Sequence, residues 1–160
     1  MKIDISVARQ LLTLFDDGGR VLRENRISTG QAGVGELSGS FQTPRGRHLI
    51  RAKIGAGAVE NTIFVGRRPT GELWSPEFAQ RHPGRDWVLT RILWLSGCEP
   101  GRNRLGCVDT MRRYIYIHGA PETAEMGTPA SHGCIRMRNA DIVDLFDLVP
   151  VYTPVEIRED

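Results

Sequence analysis

Residues 3–7 read Ile-Asp-Ile-Ser-Val, with apolar and polar side chains in strict alternation. A period of two puts one face of a strand against a core and the other toward water, which a helix cannot do with this pattern. The same kind of segment recurs along the chain. "LLTLF", a turn at "DDGG" and "RVLRENRIST" predict a β-hairpin from Leu11 to Thr29. "HLIRAKIGA", "NTIFVGR", "WVLTRILWL", "RRYIYIHG" and "VYTPVEI" predict further short strands. "STG" and "TPRG" punctuate the chain, Pro44 fixing φ and Gly46 permitting a tight turn. Many short strands in 160 residues, with no internal repeat or boundary, predict one mainly-β domain over residues 1–160.

Two segments depart from this pattern. From Gly66 to Asp86 the chain is rich in Gly, Pro and Arg and lacks strand alternation. A connection of that length is either a functional loop or lid, or a surface excursion with a short helix around "SPEFAQR". After Arg138 the spacing becomes helical: Ile142, Leu145, Phe146 and Val149 share one apolar face, Asp141 suits the positive end, and Asn139 is the expected cap.

A net charge of +2 gives no electrostatic footprint for nucleic acid. No segment approaches the ~18 apolar residues of a membrane-spanning helix. Lys2 and Lys53 are the only lysines, so the basic residues are nearly all arginine. That follows either from a genome-wide codon preference or from a use of arginine forks to bind carboxylates. Three cysteines, Cys98, Cys107 and Cys134, argue against a disulfide framework, although Cys98 and Cys107 could pair in an oxidising compartment.

The densest chemistry lies in "ASHGCIRM", Ala130 to Met137. Alternation places Cys134 and Arg136 on one face, and Tyr114, Tyr116 and His118 on one face of the preceding strand. If these strands are neighbours, a thiol, an imidazole, a guanidinium and two phenols converge. Such a thiol can act as a nucleophile with His as its base, its pKa lowered from ~8.5 by the pairing. Gly133 would let its own N–H and that of Cys134 point at a developing oxyanion, and Arg136 could hold a substrate carboxylate. Two other readings stay open at this point: an ordinary buried cysteine, or a zinc site built from His118, His132, Cys134 and Cys107.

At these residues the sequence resembles the L,D-transpeptidase (YkuD-type) catalytic domain, whose signature is a His followed at a distance by [ST]-H-G-C, an apolar residue and Asn or Arg. Here His118 is followed by Ser131, His132, Gly133, Cys134, Ile135 and Arg136. "STG" at 28–30, "TPRG" at 43–46, "NRLG" at 103–106, "YIHG" at 116–119 and "RNADIVDLF" extend the likeness in order over nearly the whole chain. The resemblance implies a β-sandwich-like fold and a cysteine acyl transfer on peptidoglycan stem peptides, without cofactor or metal. Cys134 would be the nucleophile, His118 the base and Gly119 the residue whose carbonyl orients that base. Ser131, His132 and Gly133 would shape the pocket and oxyanion site, and Arg136 and Tyr116 would meet substrate. The family's usual Gly-Thr before the last strand is replaced by Tyr152-Thr153.

What the acyl group is handed to depends on compartment. Most family members carry a signal peptide or wall-binding domains. "MKIDISVARQLLTLF" has no such apolar core, so a chain that truly starts at Met1 is expected in the cytoplasm, and a truncated one in the periplasm or cell wall. In the cytosol the partners would be recycled muropeptides, and the expected reaction is hydrolysis of the terminal D-alanine from a tetrapeptide whose third residue is commonly meso-diaminopimelate. The alternatives are 3–3 crosslinking or D-amino-acid exchange, and a non-catalytic stem-peptide binder. No nucleic-acid or membrane partner is expected.

Overall fold

The computed structural model describes all 160 residues. Ten strands and two helices follow one another as β1 (Lys2–Ser6), β2 (Leu11–Phe15), β3 (Val21–Ser28), β4 (Gly46–Ile54), β5 (Thr62–Val65), β6 (Arg68–Leu73), α1 (Pro76–Arg81), β7 (Val88–Gly97), β8 (Tyr116–Ala120), β9 (Ile135–Arg138), α2 (Asn139–Leu148) and β10 (Pro154–Arg158). A single turn of 3-10 helix lies at Gly106–Val108. The chain is mainly β, as the alternation predicts. No helix is long and apolar enough to cross a membrane.

The strands form one sheet in the order β4-β10-β1-β2-β3-β9-β8-β7-β5-β6, and β4 also pairs with β7. Eight strands therefore close on themselves, which removes the exposed edges that an open sheet would carry. The β5–β6 hairpin projects from the ring beside the N-terminal end of β7, where Ile63 faces Leu89. The two chain ends are locked together, because β1 lies parallel to β10 with Ile3 opposite Val155 and Ile5 opposite Ile157. The hairpin expected over 11–29 is β2–β3, its turn held by Asp16, whose carboxylate accepts from the Gly18 and Arg20 N–H groups.

One cluster of 18 buried apolar residues fills the interior. Ile3 and Ile5 are fully buried, as the opening alternation requires, and Ile142, Leu145 and Phe146 of α2, with Val149 just past its end, join the same cluster. Lys53 of β4 donates to the Phe146 and Val149 carbonyls at 2.6 and 2.8 Å, closing the C-terminal end of that helix with a positive charge.

Two expectations are corrected. The stretch 66–86 is neither a bare loop nor only a short helix. Its first part is β6, paired with β5, and its second part is α1, capped by the Ser75 hydroxyl accepting from the Phe78 N–H at 3.0 Å. β6 escapes sequence reading because every one of its residues is exposed, so it has no apolar alternation to display. Asn139 does not cap α2 either. Arg138 occupies the cap position without a side-chain cap bond, and the Asn139 amide is turned into the protein instead.

Candidate active site

β8 and β9 are adjacent and parallel, with Ile117 opposite Ile135 and His118 opposite Arg136. This register brings the "YIHG" and "SHGCIR" segments side by side, as a convergent site requires. Tyr114 does not share the strand. It sits before β8 at φ +58°, largely exposed, while Tyr116 and His118 lie within the strand.

His118 is completely buried. Its Nδ1 lies 2.6 Å from the Gly119 carbonyl oxygen, so Nδ1 carries the proton and donates to that carbonyl. Nε2 is then the basic nitrogen, and it is buried with no hydrogen-bond partner in the protein. A buried imidazole nitrogen left unpaired is costly, and such a nitrogen is free to accept a proton. Burial holds the His118 pKa below its ordinary value, so the ring is neutral at pH 7.

The backbone behind this base is unusually tight. A Cβ on Gly119 would collide with Asn139 Oδ1 and would stand 2.6 Å from the Leu89 carbonyl oxygen. Asn139 accepts from the Thr90 hydroxyl at 2.7 Å and donates to Asn61 Oδ1 at 2.8 Å. Thr90 is buried at φ +74°, in the left-handed region that a β-branched residue rarely adopts, where the β7–β8 ladder is irregular between Leu89 and Ile92. The Asn61–Asn139–Thr90 network braces the irregular strand directly against Gly119. Asn61 and Thr90 carry no motif signal, and Asn139 signals only a helix start.

Cys134 precedes β9. Its sulfur accepts from the Tyr116 N–H at 3.3 Å and donates to the Tyr114 carbonyl at 3.4 Å. Burial pushes the thiol up to about 12, although the side chain keeps a partial opening to the surface, and the Tyr116 N–H and the nearby Arg136 and Arg113 pull it back down. The expectation of a thiol acidified by its imidazole is therefore corrected. The thiol is turned to a backbone carbonyl, not to His118, and both members of the pair rest neutral.

Ser131 and Gly133 build the turn that presents the thiol. Ser131 Oγ donates to the Cys134 carbonyl at 2.5 Å and accepts the Gly133 N–H at 3.1 Å. This N–H, expected to face a developing oxyanion, is committed within the turn. Gly133 sits at φ +119°, and a Cβ there would stand 3.0 Å from the Gln42 carbonyl oxygen, so only glycine passes. Behind the turn the Thr43 hydroxyl donates to the Gly133 carbonyl at 2.9 Å and accepts the Gly30 N–H at 2.8 Å. "STG" and "TPRG", distant in sequence, are thus one support for "SHGC". Asn103 of "NRLG" does similar work farther out, donating to the Arg45 and Arg47 carbonyls at 3.0 Å.

Arg136 is paired rather than free. It donates to Asp86 at 2.6 Å, and His132 Nδ1 lies 3.6 Å from the other oxygen of the same carboxylate. Asp86, at the end of the 66–86 stretch, thereby joins the site. In this structure the Arg136 guanidinium is occupied by Asp86 rather than free for a carboxylate of another molecule. His132 is exposed and packs edge-on against Phe41. With Gln31, Ala32, Phe41 and Ser131 it lines a cleft of about 330 Å³. A second cavity of about 350 Å³ is walled by Phe64, Arg67, Ile92, Tyr114 and Tyr116. The Tyr116 hydroxyl accepts from Arg67 at 3.0 Å.

The zinc arrangement does not assemble. Cys107 is exposed on the 3-10 turn, and nowhere do three or more His, Cys, Asp or Glu side chains gather as metal ligands would. All three cysteines are free, so Cys98 and Cys107 form no bridge.

The sequence model of the L,D-transpeptidase catalytic domain matches residues 1–157. The chain is 51% identical over 157 residues to the Probable L,D-transpeptidase ErfK/SrfK of Salmonella typhimurium, covering 97% of this chain and 43% of that one. It is 44% identical over 100 residues to the Probable L,D-transpeptidase YbiS of Escherichia coli, covering 62% and 32%. The chain thus spans less than half the length of these relatives. Among solved structures, L,D-transpeptidase 3 from Mycobacterium tuberculosis superposes with a TM-score of 0.60 at 18% identity, covering 98% of this chain and 60% of that one. An L,D-transpeptidase from Xylanimonas cellulosilytica does so at 0.55 and 22%, covering 98% and 59%. These two likenesses concern the fold alone. The match along nearly its whole length places this chain in the L,D-transpeptidase catalytic domain family.

Proposed function

We propose that the protein is a cysteine acyl-transfer enzyme acting on peptidoglycan stem tetrapeptides, with Cys134 as nucleophile and His118 as base. The observation that carries this reading is the buried His118 Nε2, unpaired and fixed in its basic tautomer by Gly119, on the strand next to the thiol. Because both groups rest neutral, the nucleophile forms during attack. Sγ leaves the Tyr114 carbonyl, turns to His118 and gives its proton to Nε2 as the sulfur adds to the carbonyl of stem residue 3. The Cys134 N–H faces the developing oxyanion. The C–N bond then breaks, D-alanine departs with the proton from Nε2, and a thioester remains on Cys134.

Water resolves that thioester, giving a tripeptide, in the leading reading: an L,D-carboxypeptidase. His118, neutral again, takes a proton from the water and returns it to the departing sulfur. No second peptide has to dock for this step. Transfer to an amine, forming a 3–3 crosslink or exchanging a D-amino acid, is the second reading. It is favoured by the transpeptidase names of the relatives and by the separate 330 Å³ cleft at His132, where an acceptor could lie.

The test is product mass after incubation with a disaccharide tetrapeptide. Loss of one alanine is expected for hydrolysis, whereas dimers joining a tripeptide donor to a second stem would replace it with the transfer reading. Cys134→Ala should abolish either product, and activity surviving that change would overturn the nucleophile assignment.

A further inference from the structure

Three arginines come close to the Cys134 neighbourhood, and two are already spent. Arg136 is neutralised by Asp86. Arg113 gives its N–H groups to the Gly35, Glu36 and Gln42 carbonyls and to Ser40 Oγ, which fastens the 35–42 loop beside the site. Arg67 differs from both. No carboxylate of the protein lies within ion-pair distance of it, and its one hydrogen bond goes to the Tyr116 hydroxyl.

Its position is fixed nonetheless. Arg67 stands at the tip of the β5–β6 hairpin, where Gly66 and Arg67 have φ of +55° and +64°. Such a turn favours Asn-Gly, and a long side chain at φ > 0 carries a conformational cost. The guanidinium lies 4.6 Å from the Tyr114 ring centroid and 5.0 Å from that of Trp94. Tyr114 and Tyr116 are the same residues whose backbone carbonyl and N–H hold the Cys134 sulfur. Two aromatic faces and a hydroxyl thus orient a planar cation at the wall of the 350 Å³ cavity whose lining residues Phe64, Ile92 and Tyr116 form a cluster that Cys134 packs against, with most of its five N–H donors uncommitted.

We propose that Arg67 is a specificity-determining residue that binds a carboxylate of the substrate as its acyl group approaches Cys134. This deepens, and rests on, the stem-peptide reading above. A tetrapeptide offers two such groups near the scissile bond: the side-chain carboxylate of a diaminopimelate at residue 3 and the terminal carboxylate of D-alanine. The same fork chemistry serves either, and a neutral amide in place of the carboxylate loses the charge-assisted bonds.

The experiment measures binding of three disaccharide tetrapeptides to the Cys134→Ala protein: the free acid and the two peptides amidated at one carboxylate each. With Arg67 present, one amide is expected to bind about tenfold more weakly than the free acid, and the amide affected identifies the carboxylate. Arg67→Gln should bring all three affinities together. Arg67→Lys, which keeps the charge but not the planar stack, should retain the direction of the preference at reduced size, and thermal melts report that each variant is folded. Equal binding of the three peptides by the Arg67 protein, or a preference untouched by Arg67→Gln, would overturn the assignment. Turnover of the Cys134 protein on the free acid is read in parallel. Product without discrimination sinks the Arg67 proposal alone, and discrimination without product sinks the catalytic reading alone.

Discussion

Gly119→Ala is the sharpest probe of how the base is held. The added methyl carbon would meet Asn139 Oδ1 first, then the Leu89 carbonyl oxygen at 2.6 Å and Thr90 Cβ at 3.1 Å. The amide of Asn139 cannot simply swing away, because Thr90 and Asn61 hold it on both sides. Nor can the Leu89 carbonyl, which belongs to β7 and faces Gly119 in the ladder. Reaching an ordinary contact of 3.4 Å from 2.6 Å requires β7 and β8 to separate locally by about 0.8 Å. That displacement acts on the residue whose carbonyl fixes His118 Nδ1. Overpacking of this kind costs about 1–3 kcal/mol, which lowers the melting temperature by roughly 2–4 °C for each kcal/mol in a domain of this size. Misplacement of a catalytic group by about 1 Å costs on the order of 10²-fold in rate. The expected result is therefore a folded protein, melting about 2–12 °C lower, whose kcat for alanine release falls about a hundredfold while KM changes little. Adding Asn139→Ala removes one of the obstructing atoms but not the Leu89 carbonyl, so the double variant should stay impaired. A Gly119→Ala protein with kcat within threefold of the unaltered chain would refute the claim that this packing positions the base.

Two further outcomes follow from charge and burial. Asp86 raises the His118 pKa through its negative charge, so Asp86→Asn should make the base weaker and move the acid limb of the kcat/KM–pH profile to lower pH; a limb that stays put would show that Asp86 does not reach the base. His48, buried between the Gly46 carbonyl and Thr110 Oγ1, is lowered by desolvation from 6.5 to about 4. Because its folded pKa lies below the unfolded one, it contributes full stability above pH 6.5 and loses it as pH falls toward 4. That lowering corresponds to about 3 kcal/mol, readable by urea unfolding at pH 7 and pH 4, and His48→Gln should flatten that difference.

What the sequence discloses and what it conceals divide along a physical line. Ile3 and Ile5 in β1, and the α2 face from Ile142 to Val149, are legible because burial imposes a period on neighbouring residues. Cys134 and His118 stand out in the sequence because thiol nucleophile chemistry, as proposed here, restricts residue type. β6 leaves no trace, since an exposed hairpin arm needs no apolar period. From sequence Asn139 reads only as a cap, the local use of an Asn at a helix start. Its actual partners, Asn61 and Thr90, lie 78 and 49 positions away.

The same distinction explains why the electrostatics around Cys134 and His118 differ from what their identities alone suggest. A thiol and an imidazole in one motif invite the inference of a preformed ion pair, because their mutual attraction is the only interaction that can be read from their identities. The folded chain adds terms with no local signature. Burial opposes charge on both groups, the Tyr114 carbonyl takes the thiol's hydrogen bond, and Asp86 arrives from the far end of the 66–86 stretch to occupy Arg136. Desolvation is the largest influence on each group, and it outweighs the donors around the sulfur. Under the proposed mechanism such a site would keep Cys134 protonated until the sulfur turns from Tyr114 toward His118. Reactivity is then conferred by the geometry of the bound substrate rather than held in reserve by an acidic thiol.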